Sequence, residues 1–563
     1  MNRKWVCNEV DLERVKEIKE KYDLTDLVAS ILVKKDIVED KEVKKFLEPT
    51  RNDFYDPFLL QGMDIAVDRI IKAIENKERI IIYGDYDVDG ITSISVLKQF
   101  LENRGIEVAQ TIPNRLDEGY GLNKDAIEKI AEEKYTLMIT VDCGISGIEE
   151  IDYANSLGIE TIVTDHHEPL DTLPNALAVI DPKIKDNKYP FNQLAGVGVV
   201  FKLIQAISQK LNLEEKEYLK YLDLVAIGTI SDIVPLVDEN RVIAKLGLKL
   251  VEVTKNIGLR TLINSLGYQK INSMTISFGV APRINACGRM GQAEEALKLF
   301  LTQDILEAQN LTNKLNEYNR IRQEIEKKIY EDAIEKIENN NMKNNNCIVL
   351  AGENWHHGVI GIVASKITEM YFKPSILICM EDEEGKGSGR SIPGFDLHNA
   401  LCKTSNYLQK YGGHEMAVGL SIEKENFESF KNNFEEYANS CNLEEIIPII
   451  NIDKQVTDKE LTIKNVKDLS KLEPYGEANK CPLFLYKNLK VDSIRSLTEG
   501  KHIKLTLKSE KNNIIVAMGF NMGNRAEEFL IGDKVDIVGT LEINSFNGME
   551  GVQFNLKDIM KSL

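Results

Sequence analysis

Ile80-Ile81-Ile82-Tyr83-Gly84-Asp85-Tyr86-Asp87-Val88-Asp89-Gly90 is the stretch from which the fold can be read. Its apolar start has the form of a buried strand, and after Asp89-Gly90 the residues Ile91, Ile94, Leu97 and Leu101 recur at helical spacing until Arg104-Gly105. A strand feeding directly into a helix, when repeated, indicates a parallel sheet flanked by helices. The repeat is present. Leu137 to Val141 and Glu160 to Thr164 read as further strands and Ala178-Val179-Ile180 as a fourth, ended by Asp181-Pro182; the apolar run Leu222 to Ile230 leads into Ser231-Asp232. Each run ends in an aspartate. Open parallel sheets hold ligands outside the carboxyl ends of their strands, so Asp85, Asp87, Asp89, Asp142, Asp165 and Asp232 are expected at one rim.

Three carboxylates at every second position repel one another and raise each other's pKa unless a cation neutralises them. A D-x-D-x-D-G run also opens the EF-hand loop, but counting from Asp85 puts Val96 where that loop needs a bidentate glutamate, so calcium of that kind is excluded. Asp142-Cys143-Gly144 and Asp165-His166-His167 each follow a strand. A lone aspartate there is more often a helix cap and a lone histidine a loop residue, yet several run ends agree. Oxygen ligands with one or two imidazoles suit manganese or magnesium, with zinc as the softer choice. Two such ions about 3.5–4 Å apart would activate a water and clamp the leaving oxygen of a phosphodiester.

The chain has 563 residues, 43% hydrophobic and 28% charged, enough for three to four folded domains at roughly 150 residues each. No run of about 18 apolar residues is present and the start lacks a secretory signal, so a cytoplasmic protein without membrane contact is expected. The eight cysteines are scattered without a C-x-x-C pair and read as free thiols. Seventy basic against 89 acidic residues gives −19, which argues against a nucleic-acid binder. Residues 480–515 reverse the balance locally, with eight lysines and arginines against three acids. There the alternation from His502 to Lys508 sets Lys504 and Lys508 on one face, with Phe484 and Tyr486 as candidate stacking partners.

Asp165-His166-His167, Gly84 to Gly90 and Gly412-Gly413-His414 together resemble the DHH phosphoesterase superfamily. Gly228-Thr229-Ile230-Ser231-Asp232-Ile233-Val234-Pro235-Leu236, Ala281-Pro282-Arg283-Ile284-Asn285-Ala286-Cys287-Gly288-Arg289-Met290 and Trp355-His356-His357-Gly358-Val359-Ile360-Gly361 are similar to its bacterial single-strand-specific 5′-to-3′ DNA exonucleases. The resemblance implies an α/β protein: a helical preface (1–63), a DHH catalytic domain (64–290), a long connecting helix and linker (291–346), a DHH-associated substrate domain (347–445) and an OB-like barrel (446–563). By it the metal ligands are Asp87, Asp89, Asp142, His166 and Asp232, with two Mn2+ or Mg2+ ions; Asp85 is a supporting carboxylate and His167 orients or protonates. Tyr83 stands where small relatives carry a histidine.

The same resemblance gives Arg283, Ser388 and Arg390 to a terminal 5′-phosphate, Arg115 to a narrow entrance for single strands and His414 to the scissile region. It implies degradation of single-stranded DNA to mononucleotides in repair and recombination, by a monomer whose partners are a single-strand-binding protein and a helicase. Two other readings compete. A phosphodiesterase for short oligonucleotides or cyclic dinucleotides would not need the barrel, and a non-catalytic DNA-binding scaffold would not need the full carboxylate set. The pair His356-His357 has no carboxylates clustered around it in sequence, His398 follows a capping Asp396, and Trp355 reads as a loop anchor, so none of these is taken as a site residue.

Overall fold

A computed structural model describes residues 3–562 except 114–120, 442, 444–445 and 547, so Arg115 lies outside the described residues. The chain divides into two compact units, one of residues 56–232 and 249–448, the other of residues 1–55, 233–248 and 449–563.

In the first unit β1 (Ile80–Gly84) is buried along its whole length, as a β-branched strand covered on both faces should be. It feeds α1 (Val88–Glu102), whose N-cap is Asp87. With β2 (Val108–Thr111), β3 (Leu137–Val141), β4 (Glu160–Thr164) and β5 (Ala178–Ile180) it forms an all-parallel sheet in the order β2-β1-β3-β4-β5. The order reverses between β1 and β3, so the crevice at their carboxyl ends is the expected ligand position of a doubly wound sheet. Asp85 to Asp89 follow β1 and Asp142 follows β3.

Helices α2 (Gly196–Lys210) and α3 (Leu222–Ser231) pack on α1. The apolar run Leu222 to Ile230 is helical, unlike the strand runs before it. It is buried all round, and burial on every side erases the helical period from the sequence. Asp232 is its C-cap. Further on lie α4 (Ala281–Arg289) and α5 (Ile305–Asn339). The long helix expected from 291 begins only at Ile305, because Asp304 caps it by accepting from the Leu306 and Glu307 N–H groups; a separate helix, Ala293–Leu301, precedes it.

The associated sheet contains β6 (Ile348–Glu353), β7 (Ser375–Glu381), β8 (Glu384–Arg390), β9 (Lys410–His414) and β10 (Ala417–Glu423), in the order β9-β10-β8-β7-β6, with helix α6 (His357–Tyr371) following β6. Ile329, Ala333 and Ile337 of α5 share a core with Val359, Val363 and Leu377 of this region.

The second unit joins three separate stretches of chain. Its barrel consists of β11 (Phe484–Leu497), β12 (His502–Lys508), β13 (Ile514–Gly519), β14 (Lys534–Phe546) and β15 (Met549–Lys561), ordered β11-β12-β13-β15-β14 and closed by β14 on β11. The preface contributes helices and also a strand, Lys4–Cys7, paired in parallel with Ile449–Ile452. Val15, Leu27, Val28 and Phe46 of the preface lie in one core with Leu489, Ile503 and Leu505 of the barrel. All eight cysteines are free thiols, and no helix among the described residues is long and apolar enough to cross a membrane.

Candidate metal centre and strand-end pocket

Three sets of side chains bring ligand atoms within 4.8 Å of one another: Asp89 with His166 and Asp232; Asp142 with His166 and His167; and Asp85 with Asp87 and Asp142. His166 Nε2 lies 3.1 Å from Asp142 Oδ1, 3.7 Å from Asp232 Oδ2 and 3.9 Å from Asp89 Oδ2. The five ligands expected from the sequence therefore meet. Asp85, expected as a support, stands beside Asp87 and Asp142 as a possible ligand in its own right.

Backbone geometry shapes the cluster. Asp142 adopts a left-handed conformation (φ 59°), uncommon for a residue with a side chain and frequent at functional sites. Asp89 is held by the first N–H groups of α2, Gly196 N at 2.6 Å and Val197 N at 2.9 Å, where the helix dipole favours an anion. A Cβ on Gly196 would sit 2.6 Å from Asp142 Oδ1, and one on Gly90 would sit 2.4 Å from the Asp85 carbonyl oxygen, so both glycines make room for the cluster. Residue-by-residue chemistry in the sequence does not reveal Gly196 and Val197, because they act through the backbone.

Burial, then Asp87, pushes the Asp89 carboxyl up to about 7 despite its two backbone bonds. Burial and the facing Asp89 raise Asp142 well above the usual carboxylate range, and the same two causes raise Asp232. Burial and the neighbouring His167 lower His166 to about 3, so its ring is neutral. Burial opposes charge on His167, but the hydrogen bond to Asp165 (Nδ1 to Oδ1, 2.7 Å) and that carboxylate's charge outweigh it and raise it to about 9. Asp165 also accepts the backbone N–H groups of His166, His167 and Ile145.

These residues fit a divalent cation. His166 Nε2 is buried and makes no hydrogen bond, although three carboxylates surround it, and carboxylates this crowded are stable together only when neutralised. Tyr83 is turned away, its hydroxyl donating to the Gly121 carbonyl and accepting from Asn123.

A second concavity of about 240 Å³ is lined by Arg289, His357, Gly361, Lys386, Ser388 and Arg390. Arg390 Nη1 donates to Ser388 Oγ at 3.1 Å, and a Cβ on Gly361 would meet both side chains at 3.0 and 3.2 Å. Arg283, expected here, instead donates to Asn316 and to the Gly279 carbonyl; Arg289, from the same helix, takes that place. His357, set aside on sequence grounds, lines this pocket, while His356 caps α6 and Trp355 is buried with its N–H on Asp332. His414 is exposed at the end of β9, accepting the Met416 N–H, and among the described residues it belongs to none of the ligand sets.

On the barrel Lys504 is half-buried with no ion pair among the described residues, whereas Lys508 is paired with Asp492 at 2.6 Å. Phe484 and Tyr486 are core residues, since that part of β11 is covered on both faces, and Tyr486 donates its hydroxyl to Asp458. The exposed ring nearby is Phe520, edge-on to His502 at 5.4 Å.

Three family models match the chain: the DHH family N-terminal domain over residues 79–229, the DHHA1 domain over 344–440 and the RecJ OB domain over 452–558. The single-stranded-DNA-specific exonuclease RecJ of Bacillus subtilis is 39% identical over 561 residues, covering 99% of this chain and 70% of its own. The enzyme of the same name from Escherichia coli is 32% identical, covering 89% of this chain and 90% of its own. Among solved structures, RecJ from Thermus thermophilus in complex with Mn2+ matches with a TM-score of 0.87 at 30% identity, covering all of this chain and 80% of that one; the Mg2+ complex matches with a TM-score of 0.81 at 28% identity.

Proposed function

The chain belongs to the RecJ family of DHH phosphoesterases, and from that premise we propose that it hydrolyses single-stranded DNA from a 5′-phosphorylated end to mononucleotides. The observation that carries the reading is the cluster of Asp85, Asp87, Asp89, Asp142, His166 and Asp232 at the switch point of the sheet, with a three-cation pocket in the same unit. Asp142 and His166 each belong to two ligand sets, which suits a pair of ions sharing ligands. When bound, two divalent ions lower the pKa of a water and stabilise charge on the leaving oxygen.

The chain's own residues do the rest. Asp89 is oriented by the N-terminus of α2, and His166 presents a neutral ring nitrogen. Asp165 bonds to His167 Nδ1 and stabilises its protonated ring, so that His167 is a proton donor beside the carboxylate cluster. Arg289, Arg390 and Ser388 offer forked N–H and O–H donors to the terminal phosphate, and the barrel binds single-stranded DNA. Repair and recombination, a cytoplasmic monomer, and partnership with a single-strand-binding protein and a helicase complete the proposal.

Digestion of end-labelled single strands with Mn2+ tests it. The 5′ label should be released first, as a mononucleotide, and Asp142→Ala should remove the activity while the protein stays folded. Early release of a 3′ label contradicts the polarity, and unchanged turnover in the variant removes the metal assignment.

A further inference from the structure

Helix α4 touches both halves of this machinery from a single turn. Asn285 Oδ1 accepts the Val88 N–H at 3.3 Å, so it holds the peptide between two ligand residues, Asp87 and Asp89. One turn on, Gly288 lies against the same loop, where an added Cβ would be 2.6 Å from the Tyr86 carbonyl oxygen. The next residue, Arg289, lines the strand-end pocket and donates from Nη1 to the Gly358 carbonyl at 2.6 Å, at the start of α6. Gly358 completes the junction, because a Cβ there would meet the Arg289 carbonyl oxygen at 3.0 Å.

We propose that α4 is the ruler of this enzyme: by bracing the Asp85–Asp89 loop with Asn285 and Gly288 and the strand-end pocket with Arg289, it fixes their separation and so the length of the released fragment. This rests on the proposed exonuclease reading. The contacts of Asn285 and Arg289 lie about one helical turn apart, a rise of about 5.4 Å, so one rigid segment joins the loop to the pocket. Close backbone contact at Gly288 makes the brace stiff, since two backbones in van der Waals contact cannot approach further and interiors transmit strain. Asn285 and Gly288 are positioning residues, acting through the Asp85–Asp89 loop.

The test compares the parent with Gly288→Ala and Asn285→Ala by three readouts: Mn2+ titration by calorimetry, anisotropy of 5′-phosphorylated against 5′-hydroxyl oligonucleotides without metal, and the size of the first product from a 5′-phosphorylated strand. Both variants should bind Mn2+ at least about fivefold more weakly and release dinucleotides alongside mononucleotides. Their preference for the 5′-phosphate should persist, because the pocket's own side chains are intact. If Gly288→Ala does not fold, Asn285→Ala alone decides, since it only deletes a side chain. Mononucleotides as the sole product with parental Mn2+ affinity would overturn the ruler. Should the parent instead degrade from the 3′ end, the exonuclease polarity fails, while the Mn2+ titration still decides whether α4 braces the metal loop.

Discussion

A methyl group on Gly196 would lie 2.6 Å from Asp142 Oδ1, so the carboxylate keeps its place only while this position has no side chain. Gly196→Ala should therefore raise the Mn2+ dissociation constant at least about tenfold, near 1.4 kcal/mol, and calorimetric titration giving the parental value would refute the argument. Asp89 makes a second, pH-dependent case. Its folded pKa is raised to about 7 by burial and Asp87, above the unfolded value of about 3.9. A raised carboxyl binds more protons folded than unfolded, so without metal its contribution to stability is present at low pH and is lost as pH climbs towards 7. Asp89→Asn abolishes that loss. Its melting temperature relative to the parent should rise between pH 5 and pH 8 in metal-free buffer, by the equivalent of about 3 kcal/mol at most, and excess Mn2+ should reverse the order. A pH-independent difference would sink the idea. The carboxylates and histidines of this site are legible in sequence because their side chains carry the chemistry. Arg289 is not distinguishable from Arg283 in that way: six residues at about 100° each place them on different faces of one helix, and only packing says which face meets the pocket.

Among elements, parallel strands with unbroken apolar runs could be read directly, whereas Leu222–Ser231 could not, since a fully buried helix and a buried strand share the same apolar signature. The barrel shows the converse. The alternation in β12 correctly puts Ile503, Leu505 and Leu507 inside and Lys504 and Lys508 outward, but β11 buries Phe484, Leu485 and Tyr486 in succession, which no alternation predicts. The two lysines also differ. Lys508 is already neutralised by Asp492, and Lys504 has Arg495 opposite it on β11 and Met518 on β13. Lys504→Ala should weaken single-strand binding and flatten the slope of log affinity against log salt by about 0.7, one phosphate contact. Lys508→Ala should leave that slope nearly unchanged. Equal losses in a fluorescence titration across salt would show that the Asp492 pair does not hold in solution.

At the scale of the whole molecule the net charge of −19 ceases to exclude DNA, because charge acts locally and is screened beyond about 8 Å at physiological salt. The domain order read from the sequence needs a different adjustment. A preface and a barrel at opposite ends of the chain form one unit, and residues 233–248, inside the DHH segment, belong to it too. Arg241 shows how the three stretches are held. Its guanidinium lies 3.6 Å from the Phe46 ring centroid and donates to the carbonyls of Phe46, Leu472, Glu473 and Pro474. Such contacts between residues some 200 positions apart leave no local pattern in the sequence. Burial pushes this arginine down to about 9, which leaves it charged at neutral pH, with four carbonyls around it. Arg241→Met keeps the apolar stem but takes this donor from the Phe46 and Glu473 carbonyls, while Leu472 and Pro474 keep the Asn479 amide, a loss on the order of 2–5 kcal/mol confined to one unit. Calorimetry should then show an early transition, with single-strand affinity falling as the barrel unfolds. Mn2+ affinity should hold at the same temperature, because every ligand lies in the other unit. Simultaneous loss of both would mean that the two units unfold as one cooperative body, and that Arg241 supports the metal centre as well as the barrel.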